Sequence, residues 1–384
     1  MFMEITRFRC AQVVHFGPGA VARLNEEVRR LGAEKAVLIT DPGVRAAGLV
    51  EHVLKGVSVP VEIFAEVEPE PPYPLVTRVT EFIKACGAQV VIGLGGGSSM
   101  DVAKMSAAMT ANPGTVADYW GVDRLPRRGL PVIAIPTTAG TSSEISPAAV
   151  FIDPETQAKR GVNTSLLLPA VAILDPELTL GLPPHLTAFT GMDALTHAIE
   201  AYTSPRASLL TDGTAERGIR LIGEFLRRAY ARGQDLEART GMLAGCFFAG
   251  MALAEVNVGA VHGLAQALGG CFRVGHGLAN ALFLPYVMAF NRIACREKYA
   301  RVASLLGEPV EGLSLDDASE MGVEAVRRLT QDLGIPQHLR EIGVPRELLD
   351  AVAKSCIETQ QRVLLNNARS VTLEQARAIL EEAW

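Results

Sequence analysis

The chain has 384 residues, 48% hydrophobic and 20% charged, with 36 glycines, which fits a globular protein of about two domains. Its 36 basic and 42 acidic residues leave a net charge of −6, which argues against nucleic acid as the main partner, since phosphate binding wants a basic face. Six scattered cysteines without C-x-x-C spacing read as reduced thiols, not as a disulfide framework or a structural zinc knuckle.

The N-terminal MFMEITRFRCAQVVHFGPGA lacks the basic-then-apolar order of a secretory leader. The apolar stretch around Met242–Ala254 is broken by glycines and closed by Glu255, so no membrane span is expected and the protein is placed in the cytoplasm. Up to about residue 180, β-branched runs alternate with helical segments. KAVLIT (35–40) reads as a buried strand and VRAAGLVEHVLKGV as an amphipathic helix; VEIFAEV (61–67) is a strand and LVTRVTEFIKACG (75–87) a helix. QVVIGLGGGS (89–98) runs from a strand into a glycine-rich turn, and PVIAIPTT (131–138) and AVAILDP (170–176) are further strands. Such alternation predicts a mostly parallel, Rossmann-like sheet covered by helices. Beyond residue 180 the strand signals stop. HLTAFTGMDALTHAIEAY, GTAERGIRLIGEFLRRAYARG and LEARTGMLAGCFFAGMALAEV all have helical period, and LPPHL (182–186) fits a helix start with proline in the first turn. The expected organisation is an α/β domain over 1–180 and an all-helical domain over 181–384.

GLGGGSSMDVAK (93–104) is the most distinctive motif of the first half. Glycines after an apolar strand let backbone N–H groups approach an anion, and the following helix offers its positive end. It matches neither G-x-G-x-x-G nor a Walker A sequence. The plain alternative is a tight turn with Ser98 as N-cap. IPTTAGTSSE (135–144) also follows a strand, and ligands in open α/β sheets bind beyond such strand ends. Asp41 ends the KAVLIT strand, where an acid would bind a ribose 2′-hydroxyl and repel a 2′-phosphate; an ordinary Asp-Pro-Gly turn explains it equally well.

GMDALTHAIEAY (191–202) places Asp193 and His197 four residues apart among apolar neighbours, on one helix face. By itself the pair is either hydrogen-bonded core or two arms of a metal site. His262 lies in GAVHGLAQALGG and His276, between two glycines, in RVGHGLANALFLPYV. Asp193, His197, His262 and His276 would supply one oxygen and three nitrogens from three helical segments. That set is poor for calcium or magnesium and suits zinc or Fe(II), and without cysteine it is unlike a closed structural zinc site. His15, His52, His185 and His338 have no comparable neighbours and read as surface residues or as supports behind the ligands. Glu200 could orient a ligand, but a solvated helix charge is the expected reading.

With these motifs in view, the chain resembles the iron-containing (group III) alcohol dehydrogenases, whose fold is that of dehydroquinate synthase. GGGSSMDVAK, IPTTAGTSSE, GMDALTHAIEAY, VHGLAQALGG and GHGLANALFLPYVM occur in that family's order and spacing over nearly the whole chain. The resemblance implies an N-terminal dinucleotide-binding α/β domain and a C-terminal all-helical domain, with the active site in the cleft between them. It implies that Asp193, His197, His262 and His276 bind Fe(II), with zinc, manganese or nickel able to take the same donors. Gly95, Gly96, Gly97 and Ser98, with Asp101 beside them, match the pyrophosphate turn. Thr137, Thr138 and Thr141 match the loop around the nicotinamide half, and Lys159 a cofactor-contacting lysine. Asp41 matches the aspartate of members that prefer NAD(H) to NADP(H). The implied reaction is hydride transfer between a small alcohol or aldehyde and nicotinamide, by a homodimer or larger homo-oligomer.

Several positions depart from the family pattern. Gln266 stands where many relatives carry a second histidine near the substrate, and glutamine cannot titrate. Tyr286 replaces a frequent histidine, Ser142 the glycine of the usual GTGSE run, and Glu70 an asparagine that often contacts the cofactor. Within the fold, the rival is a glycerol dehydrogenase-like or dehydroquinate synthase-like zinc enzyme. From other classes come a metal-dependent hydrolase using the glycine turn for substrate phosphate, and a catalytically silent metal-binding or regulatory protein.

Overall fold

The computed structural model describes residues 8–156 and 158–384, and the chain divides into two compact units, Arg9–Leu182 and Pro183–Trp384.

The first unit runs β1 (Val13–Phe16), α1 (Leu24–Arg30), β2 (Ala36–Ile39), α2 (Pro42–Ala46), α3 (Leu49–Leu54), β3 (Val61–Phe64), α4 (Pro74–Cys86), β4 (Val90–Gly95), α5 (Gly97–Met109), β5 (Gly121–Val122), β6 (Val132–Pro136), β7 (Ala148–Ile152), β8 (Lys159–Asn163) and β9 (Val171–Leu174). Six strands form one sheet in the order β1-β9-β6-β4-β2-β3, with every pair parallel. Strands β2, β4, β6 and β9 are buried along their whole length, so they are apolar without alternation, as a sheet covered on both faces requires. Successive residues still serve opposite faces. Val37, Ile39 and Val91 join the core under α4 and α5, while Ala36, Leu38, Val90 and Ile92 join the one that includes residues of α1 and α3.

The chain goes from β2 outward to β3, then returns to the other side of β2 to lay down β4. The direction of winding therefore switches between β2 and β4, the place where an open α/β sheet has a crevice at its strand C-termini.

Two expectations need correction, and two features lie outside what was expected. The segment expected as one helix after KAVLIT is two, α2 and α3, because Gly48 stands between them in the left-handed region at φ +73. The helix after the glycine turn starts at Gly97 with Gly96 as its N-cap, so Ser98 is inside the first turn and does not cap it. The sheet's edge strand β1 and a small three-stranded sheet, β5-β8-β7, carried too weak a pattern to be expected. In that second sheet β7 and β8 are antiparallel, with Val150 opposite Gly161.

The second unit contains α6 (Pro184–Thr203), α7 (Leu209–Ala231), α8 (Leu236–Val256), α9 (Ala260–Cys271), α10 (His276–Asn291), α11 (Arg296–Leu305), α12 (Leu315–Asp332), α13 (Leu349–Thr359), α14 (Gln361–Leu364) and α15 (Leu373–Ala383), and no strand among the described residues. The parallel sheet followed by helices is the fold class expected from the sequence. Local chemistry sets several helix starts: Pro184 opens α6, Ser208 accepts from Thr211 N ahead of α7, and Asp235 accepts from Ala238 N ahead of α8. Helices α7 and α8 approach closely at Gly218, where a Cβ would lie 3.0 Å from Ala249 N. The chain then turns by 90° from α8 into α9. Among the described residues no single helix is long and apolar enough to cross a membrane.

Candidate functional site

Asp193 and His197 lie one turn apart on α6, whose residues from Gly191 to Thr203 are all buried. His262 is in the first turn of α9, and His276 is the first residue of α10. The ligand-type atoms of Asp193, His262 and His276 all lie within 4.8 Å of one another. Around Asp193 Oδ1 the Nε2 atoms of His197, His262 and His276 stand at 3.8, 3.7 and 3.8 Å. The His197 and His262 rings stack, with centroids 4.9 Å apart and planes 16° from parallel. Asp193, His197 and His262 are buried, whereas the His276 side chain keeps 29% exposure. The cluster is thus closed on three sides and open at His276.

The donor set and spacing suit a first-row divalent ion. Donors about 2.0–2.2 Å from a tetrahedral metal are about 3.3–3.6 Å from each other, close to the distance from Asp193 to each imidazole, although His197 stands outside the mutual 4.8 Å that unites the other three. A carboxylate with three imidazoles is a hard and borderline donor mix of the kind that takes iron or zinc. Burial alone would raise the Asp193 pKa. The three imidazoles and an amide hydrogen bond from Asn280 outweigh it and bring the carboxyl down to about 2, so it stays anionic. Asn280, fully buried on α10, donates from Nδ2 to Asp193 Oδ1 at 2.6 Å, and the same nitrogen lies 3.0 and 3.1 Å from Nε2 of His262 and His276.

Here one residue escaped the sequence reading, and for another the less expected of two readings holds. Asn280 was not singled out, although it stands four residues after His276 in an otherwise apolar run, the spacing that puts it on the same helix face. Glu200, expected to be a solvated helix charge, is buried at 6% exposure and accepts hydrogen bonds from Gly259 N and Val261 N, with Oε2 2.7 Å from His262 Nδ1. Gln266 is half-buried on α9, one turn beyond His262. The remaining histidines sit elsewhere: His52 and His185 are exposed, His15 pairs with Glu27 at 2.8 Å, and His338 meets the Tyr286 hydroxyl at 3.2 Å.

In the first unit, Asp41, the turn 95–97 and the loop from Thr137 follow the C-terminal ends of three neighbouring strands, β2, β4 and β6. Thr137 N donates to Gly95 O at 3.0 Å, tying the last two together. Asp41 caps α2 by accepting from Val44 N at 2.9 Å, and its other oxygen accepts from Ser99 Oγ at 3.3 Å. The capping turn and the position beside the glycine turn therefore coexist. Gly95 has φ +143, and a Cβ on it would lie 2.8 Å from Ser99 Oγ and 3.0 Å from Asp41 Oδ2; one on Gly97 would meet Thr141 Oγ1 at 2.8 Å. Only a backbone without side chains passes there. The nearest side chain to a Cβ on Gly96 is Thr138, at 3.8 Å.

Asp101 faces inward to the loop. Its carboxylate accepts from Ser143 Oγ at 2.5 Å and Val150 N at 2.9 Å and pairs with the buried Lys104 at 3.0 Å. Lys104 in turn donates to the carbonyls of Ser143 and Ala148. This pair holds the Ser/Thr loop against α5. Lys159 donates to Glu70 Oε1 at 2.6 Å, and Glu70, at φ +52, donates its N–H to Ser98 Oγ at 3.2 Å. Lys159, Glu70 and Ser98 are thus one chain of contacts leading to the start of α5.

Comparison with known proteins adds a family to this geometry. Residues 11–176 match the model described as iron-containing alcohol dehydrogenase, and residues 187–384 match the Fe-containing alcohol dehydrogenase family, C-terminal. A long-chain-alcohol dehydrogenase 1 of Geobacillus thermodenitrificans is 41% identical, the match covering 100% of this chain and 98% of the relative. An NAD-dependent methanol dehydrogenase of Bacillus methanolicus is 37% identical over 99% of this chain and 100% of its own. A crystal structure of a 1,3-propanediol oxidoreductase superposes with a TM-score of 0.96 at 38% identity, covering 99% of this chain and 100% of that one.

Proposed function

The chain belongs to the iron-containing alcohol dehydrogenase family, and from that premise we propose that Asp193, His197, His262 and His276 hold its divalent metal while the turn 95–97 holds NAD(H). As a member it is an oxidoreductase that interconverts an alcohol and its carbonyl counterpart. The observation that carries the site assignment is the convergence of three imidazole nitrogens on one buried carboxylate oxygen at 3.7–3.8 Å. When bound, the metal supplies Lewis acidity to the alcohol or carbonyl oxygen and the nicotinamide accepts or donates the hydride.

The chain's own residues do the rest. Asp193, held anionic, gives the donor set its one negative charge, and the burial of α6 excludes water from that side. Backbone N–H groups at Gly96 and Gly97, with the positive end of α5, bind the pyrophosphate, and Ser98, Thr137, Thr138 and Thr141 line the path of the cofactor. Asp101 acts through Lys104 by fixing that loop. Asp41 binds the adenosine ribose and repels a 2′-phosphate, so NAD(H) is preferred to NADP(H). Lys159 offers a positive charge shared with Glu70. Gln266 does not titrate, so it carries no proton for the reaction, which leaves the cofactor's ribose hydroxyls and water as the route. We take Fe(II) as the working metal, with zinc, manganese or nickel able to occupy the same donors. We further place the protein in the cytoplasm as a homodimer or larger homo-oligomer; cell fractionation and light scattering check the two parts.

The test is a metal-controlled assay. Protein stripped with chelator is restored with Fe(II) anaerobically or with Zn(II), and oxidation of NADH and NADPH is followed with short aldehydes. Turnover that appears only after metal, fastest with Fe(II) and NADH, is expected. Undiminished turnover in the stripped protein would break the metal assignment, and faster oxidation of NADPH would break the role given to Asp41.

A further inference from the structure

Three backbone N–H groups open α9, and each has a side-chain acceptor. Glu200 accepts from Gly259 N at 2.8 Å and from Val261 N at 2.7 Å, while Asn367 Oδ1 accepts from Ala260 N at 3.4 Å. Asn367 is itself fixed by a two-way amide pair with Asn291, at 2.9 and 2.8 Å. The approach of Glu200 is close enough that a Cβ on Gly259 would lie 3.0 Å from its Oε1. A carboxylate at this helix end also meets the positive pole of the helix.

The same carboxylate reaches His262. Both oxygens of Glu200 already act as acceptors for backbone N–H groups, so at 2.7 Å from Oε2 it is Nδ1 of His262 that donates. The ring hydrogen then sits on Nδ1, and Nε2, 3.7 Å from Asp193 Oδ1, presents a lone pair. We infer that Glu200 is a positioning residue that locks His262 in the tautomer able to bind metal and strengthens its Nε2 as a donor. The inference rests on the metal assignment above and adds a residue to it. Asn367 separates two roles that Glu200 combines, because it anchors the same helix turn without touching the imidazole.

The residue type matters more than its shape. Glutamine is nearly isosteric, but its amide nitrogen would face either Nδ1 or a backbone N–H. Facing Nδ1, it donates, and the ring hydrogen moves to Nε2, where it blocks metal binding; facing the backbone, donor meets donor.

Zn(II) and Co(II) affinities of the parent, Glu200→Gln and Asn367→Ala, read by chelator competition beside thermal melting, test the inference. Glu200→Gln is expected to bind about 10–100-fold more weakly, as loss of a ligand's supporting partner does, with a changed visible spectrum of the Co(II) form. Asn367→Ala is expected to melt lower yet bind with parental affinity. Parental affinity in Glu200→Gln overturns the inference, and so does an equal loss in Asn367→Ala. If Glu200→Gln does not fold, nitrogen-15 shifts of His262 in the histidine-labelled parent decide it, since a ring protonated at Nε2 contradicts the mechanism. A parent that takes up no metal would break the metal assignment instead, and the tautomer measurement, made without metal, would still decide this one.

Discussion

The two units build their sites from different materials. In the sheet unit the candidate cofactor site is made of backbone: Gly96 and Gly97 carry the chain without side chains from a strand end into α5, and the surroundings crowd so closely that a Cβ on Gly97 would collide with Thr141 and one on Gly95 with Ser99. In the helical unit the site is made of side chains, one carboxylate and three imidazoles set into helices that are otherwise apolar. A backbone site is broken by adding atoms. A side-chain site is broken by removing them.

The largest effect should come from removal. His262→Ala or His276→Ala takes away a donor, and a metal acting on the substrate oxygen is worth several kcal/mol, so turnover should fall by about 1000-fold or more. Metal content should fall with it while NADH fluorescence titration stays near parental. Loss of NADH binding together with the metal would show that the sites are not separable.

Next is a stability effect confined to the sheet unit. Glu144 is fully enclosed in the Ser/Thr loop, and its Oε1 has no hydrogen-bond partner among the described residues. Burial pushes its carboxyl up to about 7 from 4.5, against smaller downward pulls from its own backbone N–H and Lys104. Between those values the folded protein holds a proton that the unfolded chain has released. The resulting stability is full below 4.5, is lost as pH rises to about 7, and changes no further above it; the loss is about 3 kcal/mol. Glu144→Gln should flatten that slope in denaturant melts from pH 4.5 to 8. An unchanged slope would mean that the carboxyl ionises normally.

The smallest effect is the test by addition. Gly97→Ala pushes a methyl group into Thr141, and overpacking of this kind costs about 1–3 kcal/mol. If that cost falls on the cofactor, NADH affinity drops by about 5–150-fold with metal content unchanged. An affinity within twofold of the parent would show that the loop gives way and that the turn does not need its bare backbone.

The same contrast explains what could be read in advance. Histidines and an aspartate inside apolar helices stand out at once, and a spacing of four residues is enough to put Asp193 and His197 on one helix face. The strands β2, β4, β6 and β9 were legible because strands buried on both faces are continuously apolar. The edge strand β1 and the pair β7 and β8 were not, since partial exposure mixes their composition. Long-range polar partners were the hardest. Glu200 reaches across to residues 59–62 positions away, and Asn280 reaches Asp193 across 87. A charge inside a buried helix is a usable signal, as Lys104 in α5 shows, but its acceptors at Ser143 and Ala148 lie 39 and 44 residues further along the chain.

The most direct test of the metal centre is X-ray absorption on Fe(II)- or Zn(II)-loaded protein. The geometry predicts only nitrogen and oxygen donors at about 2.0–2.2 Å, with scattering from three imidazoles. The residual metal held by His276→Ala should show one imidazole fewer. Fewer than three imidazoles in the parent, or a sulfur donor, would contradict the assignment of Asp193, His197, His262 and His276.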